Sequence, residues 1–525
     1  MRKRYFSVGL IICLFVVLIH YLPLEADAVS SGTCGDNLTW TVDEEGTLVI
    51  SGTGKMQDYN NGDGTWNGWN KIYRIVIEDG VTSIGNHAFE NCFNVTSITI
   101  PDGVTSIGYE AFSGCIKMES ISIPDSVTQI GGRAFVDCEK LKSITLPEGI
   151  TEITDGMFYD CKSLYNVALS PNITRIGNLA FSGTSIIGID IPDGVTEIGD
   201  SAFSCCKKLF RIVLPDSVTV IGRMAFNSCT SLASINIPDG VTSIGASTFN
   251  YCNSLMEIVI PDSVTSIGNR AFYNCKLLSS VALPSNLTSI EDEVFSGCSY
   301  LKDINIPEGV TSIGKVAFGG CDQLKNIDLP EGLVTIGQSA FTDCDLVKTV
   351  TIPSSVTSIG NSAFSNCGSL SRFFVEEGNL FYSSDERGVL FNKEKTVLLQ
   401  APGMLFGEYK VPDGVARIGG YAFENCILLT DIIIPKSVTA IDYCAFNKCS
   451  RIVNVYYEGS QGDWEEIAID YHNDSLTDAA ICYDYQMYAA QEDNDGFFAR
   501  IAAFFCAILR MMQSLVLNIM EQFVS

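Results

Sequence analysis

A phrase of about 23 residues recurs along most of this chain, and it constrains the fold more than any other feature. The copy that starts at Ile237 reads IPDGVTSIGASTFNYCNSLMEIV, and the next copy begins at Ile260. One phenylalanine in each copy marks the array, at Phe89, Phe112, Phe135, Phe158, Phe181, Phe203, Phe226, Phe249, Phe272, Phe295, Phe318, Phe341, Phe364, Phe423 and Phe446. Because a single copy cannot bury its own apolar face, this pattern predicts a solenoid of fifteen stacked coils.

Each copy carries three structural signals. The L-x-x-I-x-I-P portion alternates apolar and polar residues, which predicts a short strand that the proline ends. The V-T-x-I-G portion predicts a second inward-facing extended edge, closed by a glycine such as Gly108 or Gly245 that can take a positive φ. The A-F-x-x-C portion places Phe and Cys on neighbouring positions of one helical turn. The sequence therefore predicts a parallel β-sheet with extended edges and short helical turns on the other side, capped at both ends.

The full phrase, L-x-x-I-x-I-P-x-x-V-T-x-I-G-x-x-A-F-x-x-C, resembles the repeat of the BspA-like leucine-rich repeat family over about residues 78–455. The segment before the array is similar to that family as well, in Gly32-Thr-Cys-Gly35, Trp40 and Trp66-Asn-Gly-Trp69. The resemblance implies a curved parallel leucine-rich repeat solenoid that binds other macromolecules, as an adhesin or host-interaction protein. It implies no particular ligand, because members of the family share the frame and differ on the surface.

The segments that flank and interrupt the array divide the chain into domains. Residues 1–28 have the basic start, apolar run and A-x-A site of a signal peptide, with a signal anchor as the alternative, so we expect a secreted or cell-surface protein. Residues 29–77 are predicted to form the N-terminal cap, with strands at Leu38–Val42 and Thr47–Ile50. The solenoid follows over 78–455, with a hairpin insertion at about 371–410, and then a C-terminal cap over 456–488.

Residues 489–525 form a tail of different character, which is apolar on most of a helix from residue 497 onward. Its longest uncharged run is the ten residues from Met511 to Met520, which is too short to span a bilayer. We expect this helix to pack on the solenoid itself or, as the alternative, to contact a membrane surface or a partner through residues 497–525. A membrane span is the least favoured hypothesis.

Charge and histidine content exclude several functions. The net charge of −28 predicts repulsion of nucleic acid, so no nucleic-acid partner is expected. Three histidines occur, and His20 lies in the predicted signal peptide, so a serine or cysteine nucleophile has little chance of finding a base at His87 or His472. We therefore expect no catalytic residues and no enzyme, with a carboxylate-based glycan-processing enzyme as the least favoured alternative.

Cysteine follows the repeat rather than a disulfide pattern. Fourteen of the 20 cysteines occupy the A-F-x-x-C position, namely Cys92, Cys115, Cys138, Cys161, Cys206, Cys229, Cys252, Cys275, Cys298, Cys321, Cys344, Cys367, Cys426 and Cys449. Stacked coils hold equivalent positions ~4.8 Å apart, whereas disulfide Cβ atoms are ~3.8 Å apart, which predicts a ladder of buried thiols acting as small apolar groups. Cys34, Cys205, Cys444 and Cys482 are better disulfide candidates, with their pairing left open. Without paired C-x-x-C motifs no zinc site is expected, and no metal or cofactor is predicted.

The outward positions of the predicted strands are the first candidates for binding an unidentified protein or glycan. They include Ser97, Thr99, Ser120, Ser122, Ser143, Thr145, Asn166, Asp190, Ser234, Asn236, Asp303, Asn305, Asn326 and Asp328. In the insertion, Phe381, Tyr382 and Arg387 form a second candidate site. The main alternative is a structural role, in which the solenoid is a spacer held to an envelope or partner by its C-terminal helix.

Overall fold

The computed structural model describes residues 30–60, 66 and 70–485. The predicted signal peptide (1–28) and the amphipathic tail (489–525) lie outside the described residues. Contacts divide the chain into two compact units, Met1–Ser170 and Pro171–Ser525. Within each unit the repeats form a parallel β-solenoid, as the spacing of the phenylalanines predicts.

In the first unit each coil contributes strands to two parallel ladders. In the first ladder Ser97–Thr99 pairs with Arg74–Ile77, and in the second Ser106–Ile107 pairs with Val81–Ile84. The first-ladder strands are Thr47–Gly52, Arg74–Ile77, Ser97–Thr99, Ser143–Thr145 and Asn166–Ala168. The second-ladder strands are Gly54–Lys55, Val81–Ile84, Ser106–Ile107, Gln129–Ile130 and Glu152–Ile153.

The second unit repeats this arrangement over more coils. Its first-ladder strands are Glu257–Val259, Ser280–Ala282, Asp303–Ile304, Thr349–Ile352, Arg372–Val375, Gly407–Lys410, Leu429–Ile434, Asn454–Tyr457 and Ala480–Cys482. Its second-ladder strands are Arg175–Ile176, Glu197–Ile198, Val220–Ile221, Ser243–Ile244, Ser266–Ile267, Ser289–Ile290, Ser312–Ile313, Thr335–Ile336, Ser358–Ile359, Val397–Gln400, Arg417–Ile418, Ala440–Ile441 and Ala468–Ile469. The strands are short because proline ends the first strand of most coils and glycine ends the second.

A column of stacked phenylalanines fills the core of each unit. In the first unit the rings of Phe89, Phe112 and Phe135 stack with centroids 5.6 Å apart. In the second unit the rings from Phe181 to Phe364 stack with centroids 5.1 to 5.7 Å apart. Each fully buried ring contributes roughly 1.5–3 kcal/mol, so the column is a main source of stability.

The A-F-x-x-C segment forms tight turns instead of the predicted helical turn. The residues two positions before and after Phe89, His87 and Asn91, have positive φ values of 53° and 58°. This conformation directs the amides of His87, Phe89 and Asn91 to the carbonyls of Tyr109, Ala111 and Ser113 in the next coil. A helical turn would use those amides within its own coil, so stacking favours the turns.

The glycine that ends V-T-x-I-G is required by space and not by a positive φ. A Cβ atom on Gly108 would lie 2.5 Å from the amide nitrogen of Asn86 in the preceding coil. A Cβ atom on Gly245 would lie 3.1 Å from Arg223 in the same way. Neither glycine has a positive φ, so the expectation of a left-handed conformation there is wrong. Close approach of two backbones is what excludes a side chain at this position.

All fourteen cysteines of the A-F-x-x-C position are buried thiols, which confirms the predicted ladder. Most of them also donate a hydrogen bond, which the prediction missed: Cys229 Sγ lies 3.1 Å from the carbonyl oxygen of Phe203 in the preceding coil. Burial raises the pKa of Cys206 and of Cys298 to about 12. In the described part of the chain no disulfide joins any of the candidates Cys34, Cys205, Cys444 and Cys482 to one another.

The N-terminal cap is an antiparallel hairpin that joins the first ladder. Ser30–Gly35 pairs with Leu38–Val42, which pairs with Thr47–Gly52, as predicted for the last two strands. Trp66 stacks on Phe89 with centroids 5.5 Å apart, and Trp40 packs edge-on against Trp66. These two tryptophans cover the end of the phenylalanine column. Trp69, which the family resemblance also includes, lies outside the described residues.

The insertion interrupts the phenylalanine column between Phe364 and Phe423. Strands Tyr382–Ser384, Leu390–Asn392 and Val397–Gln400 form an antiparallel meander, which confirms the predicted hairpin and adds a strand. Phe373 packs edge-on against Phe364, and Tyr409 packs against Phe423 where the column resumes. Aromatic side chains thus cover both ends of the interruption.

The C-terminal cap contains the two described helices, Gln461–Glu465 and Asp474–Thr477. Ser460 caps the first helix through a reciprocal pair of hydrogen bonds with Asp463. Trp464 of this helix is buried against Tyr457, the last residue of a first-ladder strand. In the described part of the chain, neither helix has the length and apolar character that crossing a bilayer requires.

Candidate functional site

The outward side chains of the first-ladder strands form the strand face, where most candidate binding residues were predicted. The polar candidates Ser97, Thr99, Ser120, Ser122, Thr145, Asn166, Asp190, Ser234, Asn236, Asp303, Asn305, Asn326 and Asp328 are exposed, and Ser143 is half-buried. They are exposed because strand residues alternate between the core and solvent. The structure therefore places all fourteen at the surface of the strand face or at its edge.

Within the first unit, parallel pairing brings several of these candidates together. Ser120 lies opposite Ser143, and Ser143 lies opposite Asn166, in one row across neighbouring coils. A shallow groove of about 430 Å³ runs along Ser120, Ser122, Ser143 and Thr145. Such a row offers hydroxyl and amide groups but little apolar surface, so by itself it would bind weakly.

One exposed candidate residue in the second unit, Asn236, also has a structural role. The side-chain oxygen of Asn236 accepts a hydrogen bond from the backbone nitrogen of Leu214 at 2.8 Å. The side-chain nitrogen of Asn236 donates to the carbonyl oxygen of Leu214 at 2.7 Å. The side chain of Asn236 therefore makes the two hydrogen bonds that a backbone pair of a parallel ladder would otherwise make between these coils. Asp190 and Ser234 remain on the surface, opposite Val213 and Arg211 respectively.

The second unit also exposes an apolar row that the sequence analysis did not select. Ile187, Phe210, Val213, Met256 and Val259 are all more than half exposed. Phe210 and Ile187 occupy the same position in adjacent coils, since the amide of Phe210 donates to the carbonyl of Ile187. Strand alternation alone would have found Val213 and Val259. The other three precede the strand, so alternation gave no signal for them.

Tyr382, a predicted binding residue of the insertion, is buried. Its hydroxyl accepts from the amide of Ile359 at 2.8 Å and donates to the carbonyl of Thr357 at 3.4 Å. Burial raises the pKa of Tyr382. The selection of Tyr382 as a surface contact is therefore wrong, because its ring and hydroxyl close the end of the second ladder. Phe381, its neighbour, is half exposed.

Arg387, the third predicted residue of the insertion, is exposed and belongs to a larger cluster. Its guanidinium lies 5.4 Å from the ring of Phe406 and donates to the carbonyl of Phe406 at 2.7 Å. Arg372 lies over Phe374 in the same way, at 5.5 Å. The two pairs are joined because Arg372 donates to the carbonyl of Glu386 at 2.7 Å. We name Arg372, Phe374, Arg387 and Phe406 the insertion patch.

Two sets of contacts with the half-buried Asp385 hold the insertion patch in place. Tyr409 donates to Asp385 Oδ2 at 2.7 Å, which links the insertion to the strand that resumes the array. Asp385 Oδ1 accepts from the amides of Arg387 and Val389, which fixes the turn that carries Arg387. Burial and the neighbouring Asp385 carboxylate raise the pKa of Tyr409, so its hydroxyl stays a donor.

The repeats identify the family directly. The model of the BspA type leucine rich repeat region matches residues 62–187, 174–302, 265–385 and 405–479, which together make well over half of the chain. The chain belongs to this family. Leucine-rich repeats of the BspA type thus account for the two ladders, the phenylalanine column and the coil length, and solenoids of this class are typically interaction scaffolds.

Several solved structures of similar proteins are bacterial leucine-rich repeat proteins. A leucine rich cell surface protein from Faecalibacterium prausnitzii is 24% identical, with 84% of this chain and 98% of that chain covered and a TM-score of 0.36. A leucine-rich repeat protein from Bacteroides ovatus is 27% identical, with 77% and 94% covered and a TM-score of 0.47. The pneumococcal vaccine antigen PcpA is 17% identical, with 87% and 98% covered and a TM-score of 0.33. No curated protein matches the chain significantly.

Proposed function

We propose that this protein is a non-enzymatic interaction protein, secreted or held at a cell surface, that binds a host or matrix protein through the insertion patch. The observation that carries the proposal is the pairing of exposed aromatic rings with guanidinium groups at that patch. Phe374 is 46% and Phe406 is 68% exposed, although each ring lies beneath an arginine. Aromatic and arginine side chains dominate the binding energy of protein interfaces.

The charge of the patch indicates the chemistry of the partner. Two arginines meet at one place on a chain whose net charge is −28. Their guanidinium groups are already oriented by backbone carbonyls, so binding would order few additional side chains. A protein surface that presents apolar side chains flanked by carboxylates would complement this patch.

The location follows from the first 28 residues. Their basic start, apolar run and A-x-A site are typical of a secretory signal peptide. Solenoids of this family are typically interaction scaffolds, and the first 28 residues are typical of exported chains. Both observations support an extracellular partner. N-terminal sequencing of the exported protein tests this step, since cleavage is expected after Ala28.

Binding to immobilised collagen, laminin and fibronectin, measured by biolayer interferometry beside a glycan array, tests the partner class. The double variant Phe374→Ser/Phe406→Ser is expected to lose at least about tenfold in affinity for a protein that the unmodified chain binds. The control Phe210→Ser/Val259→Ser also removes two exposed apolar side chains, but these have no arginine stacked on them. The affinity of this control for the same protein is expected to stay within about twofold of that of the unmodified chain.

Two outcomes would overturn the proposal. Equal losses in both double variants would show that binding follows exposed apolar area and not the insertion patch. Binding to glycans alone, unaffected by the patch substitutions, would assign the ligand to another surface. Melting temperatures of both variants should match that of the unmodified chain, because all four side chains are exposed.

A further inference from the structure

Three side chains that can bind a metal meet on the turn side of the first coils. His87 Nδ1 lies 2.9 Å from Glu90 Oε2 and 3.5 Å from Glu110 Oε2. Glu90 and Glu110 are only 8% and 7% exposed, and the His87 side chain is 13% exposed. Within residues 30–60, 66 and 70–485 this is the one group of three such residues whose ligand atoms all lie within 4.8 Å of one another.

The repeat itself brings the three residues together. His87 and Glu110 occupy the same position of successive coils, two residues before Phe89 and Phe112, and both have left-handed backbones with φ of 53° and 51°. The amide of His87 donates to the carbonyl of Tyr109, which sets the two coils in register. Glu90 adds a second carboxylate from the same turn as His87. These positions are fixed by the backbone before any ligand is present.

Both carboxylates are oriented by donors on the oxygen that does not face the histidine. Arg133 Nε donates to Glu110 Oε1 at 2.5 Å, and Asn91 Nδ2 donates to Glu90 Oε1 at 3.4 Å. The Oε2 atoms of the two glutamates are the ones that lie near His87 Nδ1. Hydrogen bonds that hold ligand side chains from behind are a regular feature of metal sites in proteins.

The two distances from His87 to the carboxylates are near those between ligands of a tetrahedral zinc ion, and the two carboxylate oxygens lie within 4.8 Å of each other. Bonds of about 2.0–2.2 Å to nitrogen and oxygen place neighbouring ligand atoms about 3.3 Å apart at the tetrahedral angle. The observed 2.9 and 3.5 Å lie on either side of that value. We propose that His87, Glu90 and Glu110 bind one Zn²⁺ ion, with a fourth position open to water.

The composition of the site favours zinc over the hard divalent cations. Calcium takes six to eight oxygen ligands and magnesium keeps an octahedral shell of oxygen, whereas this site offers one imidazole and two carboxylates. Imidazole with carboxylate suits zinc and its neighbours in the transition series. Arg133 neutralises one of the two carboxylates, so the remaining site charge is one negative, which a divalent cation more than balances.

The proposed ion would connect two adjacent coils directly behind the N-terminal cap. An ion that binds only the folded chain stabilises it by an amount that increases with the logarithm of the ion concentration once that concentration exceeds the Kd. After treatment with a chelator, the full chain is expected to bind one Zn²⁺ in a competition titration with a zinc-sensitive dye. Its melting temperature should rise with added Zn²⁺, and Co²⁺ in its place should give the visible absorption bands of a tetrahedral site.

Substitutions separate this site from other ligands, such as the buried thiols. His87→Gln and Glu110→Gln are each expected to lower the Zn²⁺ affinity at least about tenfold. Glu293→Gln is the matched control, since Glu293 has the same position in its coil and pairs with Arg270 at 2.7 Å, but it has no histidine beside it. This control should bind Zn²⁺ as the unmodified chain does.

Either of two results would overturn the proposal. One is a melting temperature of the unmodified chain that does not change when Zn²⁺ is added. This test does not depend on the folding of any variant. The other is equal Zn²⁺ affinity in His87→Gln and in the unmodified chain, which would leave His87 and its two glutamates as an ion-pair cluster that stabilises the turns only.

Discussion

The repeat cysteine is a hydrogen-bond donor inside the core in most coils from Cys115 onward. Cys229, Cys252 and Cys275 each donate through sulfur to the carbonyl of the phenylalanine in the preceding coil, at 3.1 to 3.2 Å. Thr184 stands where the coil of Phe181 lacks this cysteine, and its hydroxyl donates to the carbonyl of Phe181 at 2.7 Å. The position therefore requires a small side chain with a donor, which both residues supply.

Because burial raises the pKa of Cys298 from an ordinary value of 9.0 to about 12, this thiol makes the stability of the fold depend on pH. Below pH 9 both the folded and the unfolded chain keep the proton on this thiol, so the free energy of unfolding has its full value with respect to this group. Between pH 9 and 12 only the unfolded chain releases it, so the free energy of unfolding falls by about 1.4 kcal/mol per pH unit for this thiol.

The variant Cys298→Ser keeps a hydroxyl donor that does not titrate in this range. Urea unfolding at pH 8, 9 and 10 should therefore show a smaller loss of stability in Cys298→Ser than in the unmodified chain above pH 9. The two chains should have the same pH dependence below pH 9. Identical slopes above pH 9 would contradict the assignment of a raised pKa to this thiol.

At the scale of the structural element, the insertion is held to the array by the buried side-chain amide of Asn379. Asn379 is fully buried, and its Nδ2 donates to the carbonyls of Pro353 and Val356 at 2.8 and 3.1 Å. Its Oδ1 accepts from the amides of Phe381 and Tyr382, both at 2.8 Å. All four hydrogen bonds that an asparagine side chain can make at this site are formed, and they join the meander to the last coil before it.

Asn379→Asp keeps the shape of the side chain but replaces its two donors with a carboxylate oxygen. Two buried carbonyls then lose their partners beside a buried charge, which is expected to cost at least about 3 kcal/mol. Hydrogen exchange of peptides over 376–400 should become faster before exchange in the coils on either side. The exposed Asn326→Asp is the control, with an expected change within about 0.5 kcal/mol. Unchanged exchange over 376–400 would contradict this role of Asn379.

At the scale of the whole molecule, the features that could be predicted most fully from the sequence are those that recur from coil to coil. The spacing of Phe89, Phe112 and the later phenylalanines predicted the solenoid, because each ring can be buried only between the rings of neighbouring coils. The turn conformation could not be predicted, since the A-F-x-x-C spacing fits a helical turn equally well and the deciding hydrogen bonds join different coils. The insertion patch combines two arginine–aromatic pairs from opposite ends of the insertion, which the folded meander links through the hydrogen bond from Arg372 to the carbonyl of Glu386.

The continuity of the phenylalanine column predicts how the second unit unfolds. Phe226 is fully buried between Phe203 and Phe249, with ring centroids 5.4 and 5.7 Å away. Phe226→Ala removes both stacking contacts and is expected to cost about 3–5 kcal/mol. Since each coil of a repeat array contacts only its neighbours, the loss should be concentrated in the coils around residue 226.

Urea unfolding followed by hydrogen exchange measures where that loss falls. In Phe226→Ala, peptides from 197–260 should lose protection at lower urea than peptides from 417–469, whereas the unmodified unit should lose both together. Phe210→Ala is the control, because its ring is 59% exposed and lies outside the column, so its stability should change by no more than about 0.5 kcal/mol. A uniform loss of protection over both peptide sets in Phe226→Ala would mean that cooperativity extends through the whole second unit and does not depend on the contacts between adjacent rings.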